Sequence, residues 1–109
     1  MRNPRVGAAI ATINARYAEP WTVHSLAAHT GVSASTLARE FLAVIGTTPA
    51  AYLRGRRILE AKRLLRESSH PLESIAVAVG YTSAVGLHQA FARECGETPG
   101  AFRNRSRST

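Results

Sequence analysis

The sequence on one side of residues 48–67 reappears on the other, and this repeat limits what the chain can fold into. Before that stretch run Leu26-Ala27-Ala28-His29-Thr30-Gly31-Val32, then Leu37, Phe41, Gly46-Thr47-Thr48-Pro49 and Tyr52. After it run Ile75-Ala76-Val77-Ala78-Val79-Gly80-Tyr81, then Leu87, Phe91, Gly96-Glu97-Thr98-Pro99 and Phe102. The offset is 49 from Ala27 to Ala76 and from Gly31 to Gly80, and 50 from Leu37 to Leu87 and from Phe41 to Phe91. The second copy therefore carries one extra residue in or just after its turn. Two copies are too few for a solenoid, which needs about three or more. Two small similar modules on a connector are the remaining arrangement. Each has the grammar of a helix, a glycine turn and a second helix, with Ala27 and Ala76 small enough for the helices to cross closely.

The stretch between the copies, TPAAYLRGRRILEAKRLLRE, reads as one long helix. Thr48 can cap it, and Pro49 suits the first helical position, where its missing N–H costs nothing. Leu59, Glu60, Ala61, Lys62, Leu64 and Leu65 favour continuation, and His70-Pro71 stops it. Roughly twenty residues at 1.5 Å per residue make a rod of about 30 Å. Leu53, Ala61, Leu64 and Leu65 share one side, while Tyr52 and Leu59 point elsewhere, as suits a connector packed between two bodies.

The rest of the chain reads as helical too. Val6, Ile10, Ile13 and Tyr17 form one apolar face of a first helix over residues 4–18. Trp21 is expected to anchor the core, and Thr22 to cap a helix over 23–30. A helix over 34–45 should bury Leu37, Phe41 and Val44, and Gly46 should close it. Further helices are expected from His70-Pro71 to Val79, over 83–95, and from Thr98-Pro99 through Phe102. Residues 1–3 read as a disordered arm and residues 104–109 as a frayed basic tail. No stretch alternates over strand length, so the expected fold is all-α.

Charge narrows the partner. The formal net charge is +7, and thirteen of the fourteen basic residues are Arg, whose fork suits phosphate and guanine. Arg39 points outward from the second helix of the first module, with Ser35 one turn earlier and Leu42 and Ala43 flanking. That geometry suits a major groove. The second module puts Val85 and Gln89 at the equivalent places, with His88 beside them and Arg93 one turn on. Gln can pair with adenine and Val can meet a thymine methyl, although Gly86 weakens this helix. Arg54, Arg56, Arg57, Lys62, Arg63 and Arg66 serve either as a solvated face paired with Glu60 and Glu67 or as phosphate contacts. His24 and His29 are five apart and His88 and Cys95 seven apart, and neither spacing matches a metal finger. There is no Asp, no Ser-His-carboxylate or paired-carboxylate constellation and no glycine-rich phosphate loop, so no enzyme activity and no cofactor are expected. No apolar run approaches membrane-spanning length, no signal peptide is evident, and a single cysteine fits a reducing cytoplasm.

These residues resemble a known family. Leu26-Ala27, Gly31-Val32-Ser33, Leu37-Ala38-Arg39-Glu40-Phe41, Gly46, Pro49, Tyr52-Leu53-Arg54, Arg57, Ala61 and Leu64-Leu65 are similar to the first half of an AraC/XylS-type DNA-binding domain. Ile75-Ala76, Gly80-Tyr81, Leu87, Phe91, Gly96-Glu97-Thr98-Pro99 and Phe102-Arg103 are similar to its second half. The resemblance implies seven helices in two homeodomain-like three-helix units over 4–47 and 69–103, joined by a connecting helix over 48–68. It implies a bacterial, cytoplasmic, nucleoid-associated transcription regulator that docks both units into successive major grooves of double-stranded DNA. RNA polymerase is a further partner under this reading. The DNA-binding residues would be Ser33, Ser35, Thr36, Arg39 and Leu42 in the first unit. In the second they would be Thr82, Ala84, Val85, His88, Gln89 and Arg93. Gln89 stands where the family usually has an Arg that contacts DNA. Most members also carry an effector-sensing or dimerisation domain, for which this chain has no room, so it reads as a fragment or a stand-alone member. The competing readings are a non-specific architectural DNA binder, a DNA-binding module of a larger protein, including one joined to repair methyltransferase chemistry, and a polymerase-interaction module. Competition with random DNA separates the first of these from a specific regulator.

Overall fold

Side-chain caps and left-handed glycines mark where the helices start and stop. In the computed structural model, which describes residues 3–107, the elements are α1 (Pro4–Ala15), α2 (Val23–Thr30), α3 (Ala34–Ile45), α4 (Pro49–Glu67), α5 (Leu72–Val79), α6 (Ala84–Cys95) and α7 (Pro99–Arg107). No strand forms among the described residues. They divide into two compact units between Arg56 and Arg57, within α4.

In the first unit, Val6, Ala9 and Ile13 of α1 meet Leu26 and Ala27 of α2, Leu37 and Phe41 of α3, and Leu53 of α4. Phe41 is fully buried, and its ring meets Tyr52 edge-on at 5.7 Å. Each large side chain buried this way contributes about 1.5–3 kcal/mol. Thr22 and Ser25 cap α2 reciprocally, each side chain accepting from the other's backbone N–H at 2.9–3.1 Å. At the far end Gly31 takes φ 79°, and the N–H of Val32 reaches back to the Ala27 carbonyl at 3.0 Å. A side chain would be strained at this φ, which is why the turn carries glycine.

The second unit repeats the device. Gly80 takes φ 109°, and the Tyr81 N–H donates to the Ala76 carbonyl at 2.9 Å. Its buried residues are Ile58, Ala61 and Leu65 of α4, Ile75, Ala76 and Val79 of α5, Leu87, Ala90 and Phe91 of α6, and Pro99 and Phe102 of α7. Phe91 and Phe102 meet edge-on at 5.5 Å.

Five local expectations change. Asn3 is not part of a loose arm: its side chain accepts from the N–H groups of Arg5 and Val6 and donates to Glu40 at 2.8 Å, while Met1 and Arg2 lie outside the described residues. The first helix ends at Ala15 rather than at residue 18. There Arg16 leaves helical geometry, pairs with Glu19 and accepts from the Trp21 indole N–H at 2.9 Å. Trp21 itself is half-buried at the edge of the core, with Arg16 over its ring and His29 against it. Val44 is 46% exposed, whereas its neighbour Ile45 packs on the core. Finally, the last helix runs on to Arg107 instead of fraying after Phe102. Arg103 donates to the Leu65 and Ser68 carbonyls, each at 3.1 Å, Arg107 also bonds the Ser68 carbonyl, and Arg105 pairs with Glu97 at 2.7 Å. The carbonyls of Leu65, in the last turn of α4, and of Ser68, just past it, accept from these cations, as suits the negative end of a helix, and order that segment. Ser108 and Thr109 lie outside the described residues.

Gly86 sits inside α6, where glycine costs about 1 kcal/mol relative to alanine. A Cβ there would meet the Tyr81 ring at 3.6–4.0 Å, an ordinary contact. Gly86→Ala is therefore expected to stabilise the protein by about 1 kcal/mol, read as a higher midpoint in thermal denaturation.

Candidate nucleic-acid interface

Ser33 starts α3 by accepting from the Thr36 N–H at 3.2 Å, and its hydroxyl lies 2.8 Å from the Thr36 hydroxyl. Two of the expected contact residues are thus engaged with each other, with Ser33 exposed and Thr36 half-buried. Beyond them Ser35, Arg39 and Leu42, spaced by four and three, fall on one outward face of α3, and all three are exposed. Leu42 is 53% exposed and sets an apolar side chain beside Arg39 on this face.

Glu40 fixes α3 from its side. Arg5 reaches the Glu40 carboxylate at 2.8 Å and 3.0 Å, and Asn3 adds a third bond. The hydrogen bonds from Arg5 and then Asn3 hold this carboxylate below its ordinary pKa range. A partly exposed pair of this kind contributes little stability. Its effect is positional, tying the start of α1 to the helix that presents Arg39.

In the second unit Ser83 caps α6 through the Gly86 N–H at 3.4 Å. Val85, His88, Gln89 and Arg93 are exposed along the outward side, Val85 at 64%; Thr82 is exposed in the turn, and Ala84 is half-buried. Ala84, Val85, His88 and Gln89 line a shallow apolar groove whose other wall is Leu72 of α5. Beside it, Glu73 accepts from the Ala84 N–H at 3.1 Å, across eleven residues of chain. Leu72 and Glu73 were absent from the expected site. An acidic residue in the first turn of a helix reads as support for that helix's own dipole, so nothing in the sequence marked Glu73 as touching α6.

The basic residues of α4 are largely engaged. Arg56 lies 4.8 Å over the Tyr17 ring, Arg57 lies 5.4 Å over Tyr81, and Arg63 pairs with both Glu60 and Glu67. Burial pushes the Arg57 guanidinium below its ordinary pKa. Lys62, Arg66 and Arg105 gather about Phe102. The expected pairing with Glu60 and Glu67 is present at Arg63, and Arg54 and Arg66 are exposed.

A family model described as a helix-turn-helix domain matches residues 26–105. The chain is 40% identical over 105 residues to the RCS-specific HTH-type transcriptional activator RclR of Escherichia coli (strain K12), covering 96% of this chain and 37% of that protein. It spans about a third of the length of the longer curated relatives it matches. Among solved structures, the DNA-binding domain of AdpA, a global transcriptional factor, in complex with a target DNA superposes with a TM-score of 0.90 at 31% identity, covering 95% of this chain and 94% of that one. An AraC-type transcriptional regulator from Chromobacterium violaceum superposes with a TM-score of 0.87 at 27% identity over 96% of this chain and 94% of that one. With two capped helix-turn-helix units and a family match over most of its length, this chain belongs to the AraC-type family of helix-turn-helix DNA-binding domains of transcription regulators.

Proposed function

We propose that the chain is the DNA-reading part of a transcription regulator and presents α3 and α6 to successive major grooves of one duplex. The observation that carries this is the outward face of α3, where Ser35, Arg39 and Leu42 stand exposed on a helix whose other face is buried. The AdpA domain's complex with a target DNA supports the same reading by similarity. Under this proposal, Arg39 reads a guanine through its forked donors, and Leu42 lies along the groove. Val85 and Leu72 offer an apolar surface to a thymine methyl, Gln89 pairs with adenine, and Arg93 holds a phosphate. Ser33 and Ser83 serve as caps that aim their helices. The location that goes with this role is the cytoplasm. Contact with RNA polymerase and control by an effector domain belong to the regulator as a whole, and the chain itself carries no catalytic step.

Arg39→Ala is expected to weaken binding to the selected site by about 1–3 kcal/mol, while Arg105→Ala, the same change in charge within α7, costs far less. Gln89→Ala should flatten the base preference less than Arg39→Ala. The measurement is a base-by-base binding profile over about two helical turns of DNA for each variant. A profile flattened more by Gln89→Ala would reverse the ranking of the two units, and equal losses from Arg39→Ala and Arg105→Ala would remove α3 from the interface.

A further inference from the structure

A carboxylate stands at the rim of the second unit's outward face, where a DNA-binding surface would not be expected to place negative charge. Glu73 is exposed, and one of its oxygens accepts from the N–H of Ala84, the first residue of α6. Leu72, next to it, forms one wall of the groove completed by Ala84, Val85, His88 and Gln89. Any duplex seated on Val85 and Gln89 therefore brings its groove edge near Glu73.

The repeat supplies an internal comparison. Before the turn the two copies are offset by 49, so Glu73 matches His24 of the first unit. In the first unit, α2 has no acidic residue in its first turn, whereas α5 of the second unit has Glu73 there. The two units thus differ in charge on the helix that precedes the outward one as well as at Arg39 and Gln89.

We infer that Glu73 is a specificity-determining residue of the second unit, an inference that rests on the DNA-reading role proposed above. Ionised, it only accepts hydrogen bonds. A base edge with an amino donor, above all cytosine N4, offsets its charge. A phosphate, a guanine edge or a thymine O4 leaves the charge opposed. Generic DNA meets this unit through phosphate alone and so bears the full repulsion, whereas a site with an amino group under Glu73 does not. The carboxylate lowers affinity for the wrong sequence, and discrimination follows from that repulsion.

The test titrates the chain against two labelled duplexes, one of random sequence and one enriched from a randomised pool, at several salt concentrations. Glu73→Gln keeps an oxygen for the Ala84 N–H and removes the charge. It is expected to bind the random duplex roughly fivefold more tightly at low salt, with the gap closing as salt rises and the ratio of specific to random affinity falling. Glu73→Ala, checked for folding by circular dichroism, should also bind the random duplex more tightly, because the effect belongs to the charge and not to the bond. Random-duplex affinity unchanged or weaker in Glu73→Gln overturns the inference, and so does a weaker Glu73→Ala beside an unaltered Glu73→Gln, which would make Glu73 only a tether for α6. Wild-type protein that binds neither duplex would instead defeat the DNA-reading proposal, and this inference with it.

Discussion

Phe41→Ala is expected to cost about 3–5 kcal/mol of stability, while Val44→Ala costs less than about 1 kcal/mol. Both side chains lie on the apolar arc of α3 in a helical wheel, so sequence periodicity treats them alike. In the fold they differ. Phe41 is fully buried among α1, α2 and α4 and meets the edge of Tyr52, so truncation leaves a cavity and removes an aromatic contact. Val44, in the last turn of α3, is 46% exposed and already solvated. Urea denaturation of the two variants measures the difference. A loss at Val44 comparable to that at Phe41 would mean that the end of α3 is covered in solution.

The second large effect is that of salt on DNA binding. The formal net charge is +7, and Arg39 and Arg93 are exposed on the outward helices. Each phosphate neutralised changes the slope of log K against log salt by about −0.9. With about six phosphate contacts, affinity should fall roughly a thousandfold between 50 and 200 mM salt. Fluorescence anisotropy titrations across that range read the slope directly. A flat response would contradict the DNA-reading role altogether. The engaged cations at Arg5, Arg16, Arg63 and Arg105 are already paired with carboxylates and should contribute little to the slope.

Arg105 shows how tertiary contacts reassign a residue. By composition, residues 104–109 are a polar, basic, fraying end. In the fold, Arg103, Arg105 and Arg107 have partners at Leu65, Ser68 and Glu97, all outside α7 and 8 to 39 residues away in sequence. A pattern based on local propensity has no access to a carbonyl 38 positions earlier, such as that of Leu65. Asn3 is a similar case: its cap on α1 is local, but its bond to Glu40 spans 37 positions.

The repeat, by contrast, was legible without coordinates, because it rests on short-range rules. Ala27 and Ala76, and Gly31 and Gly80, each act within one helix turn, and a left-handed turn is determined by the residue that forms it. The seven helices, the turns, the burial of Phe41 and the outward position of Arg39 all followed from such rules. Only the tertiary structure decided which apolar residues on the correct arc are covered, since that depends on where the neighbouring helices end. Ile45 is packed and Val44 is not. It also decided that Glu73, a residue of α5, bonds the first residue of α6. That contact exists only because a left-handed turn at Gly80 folds one helix back on the other, and through-space proximity of this kind leaves no mark on the order of residues.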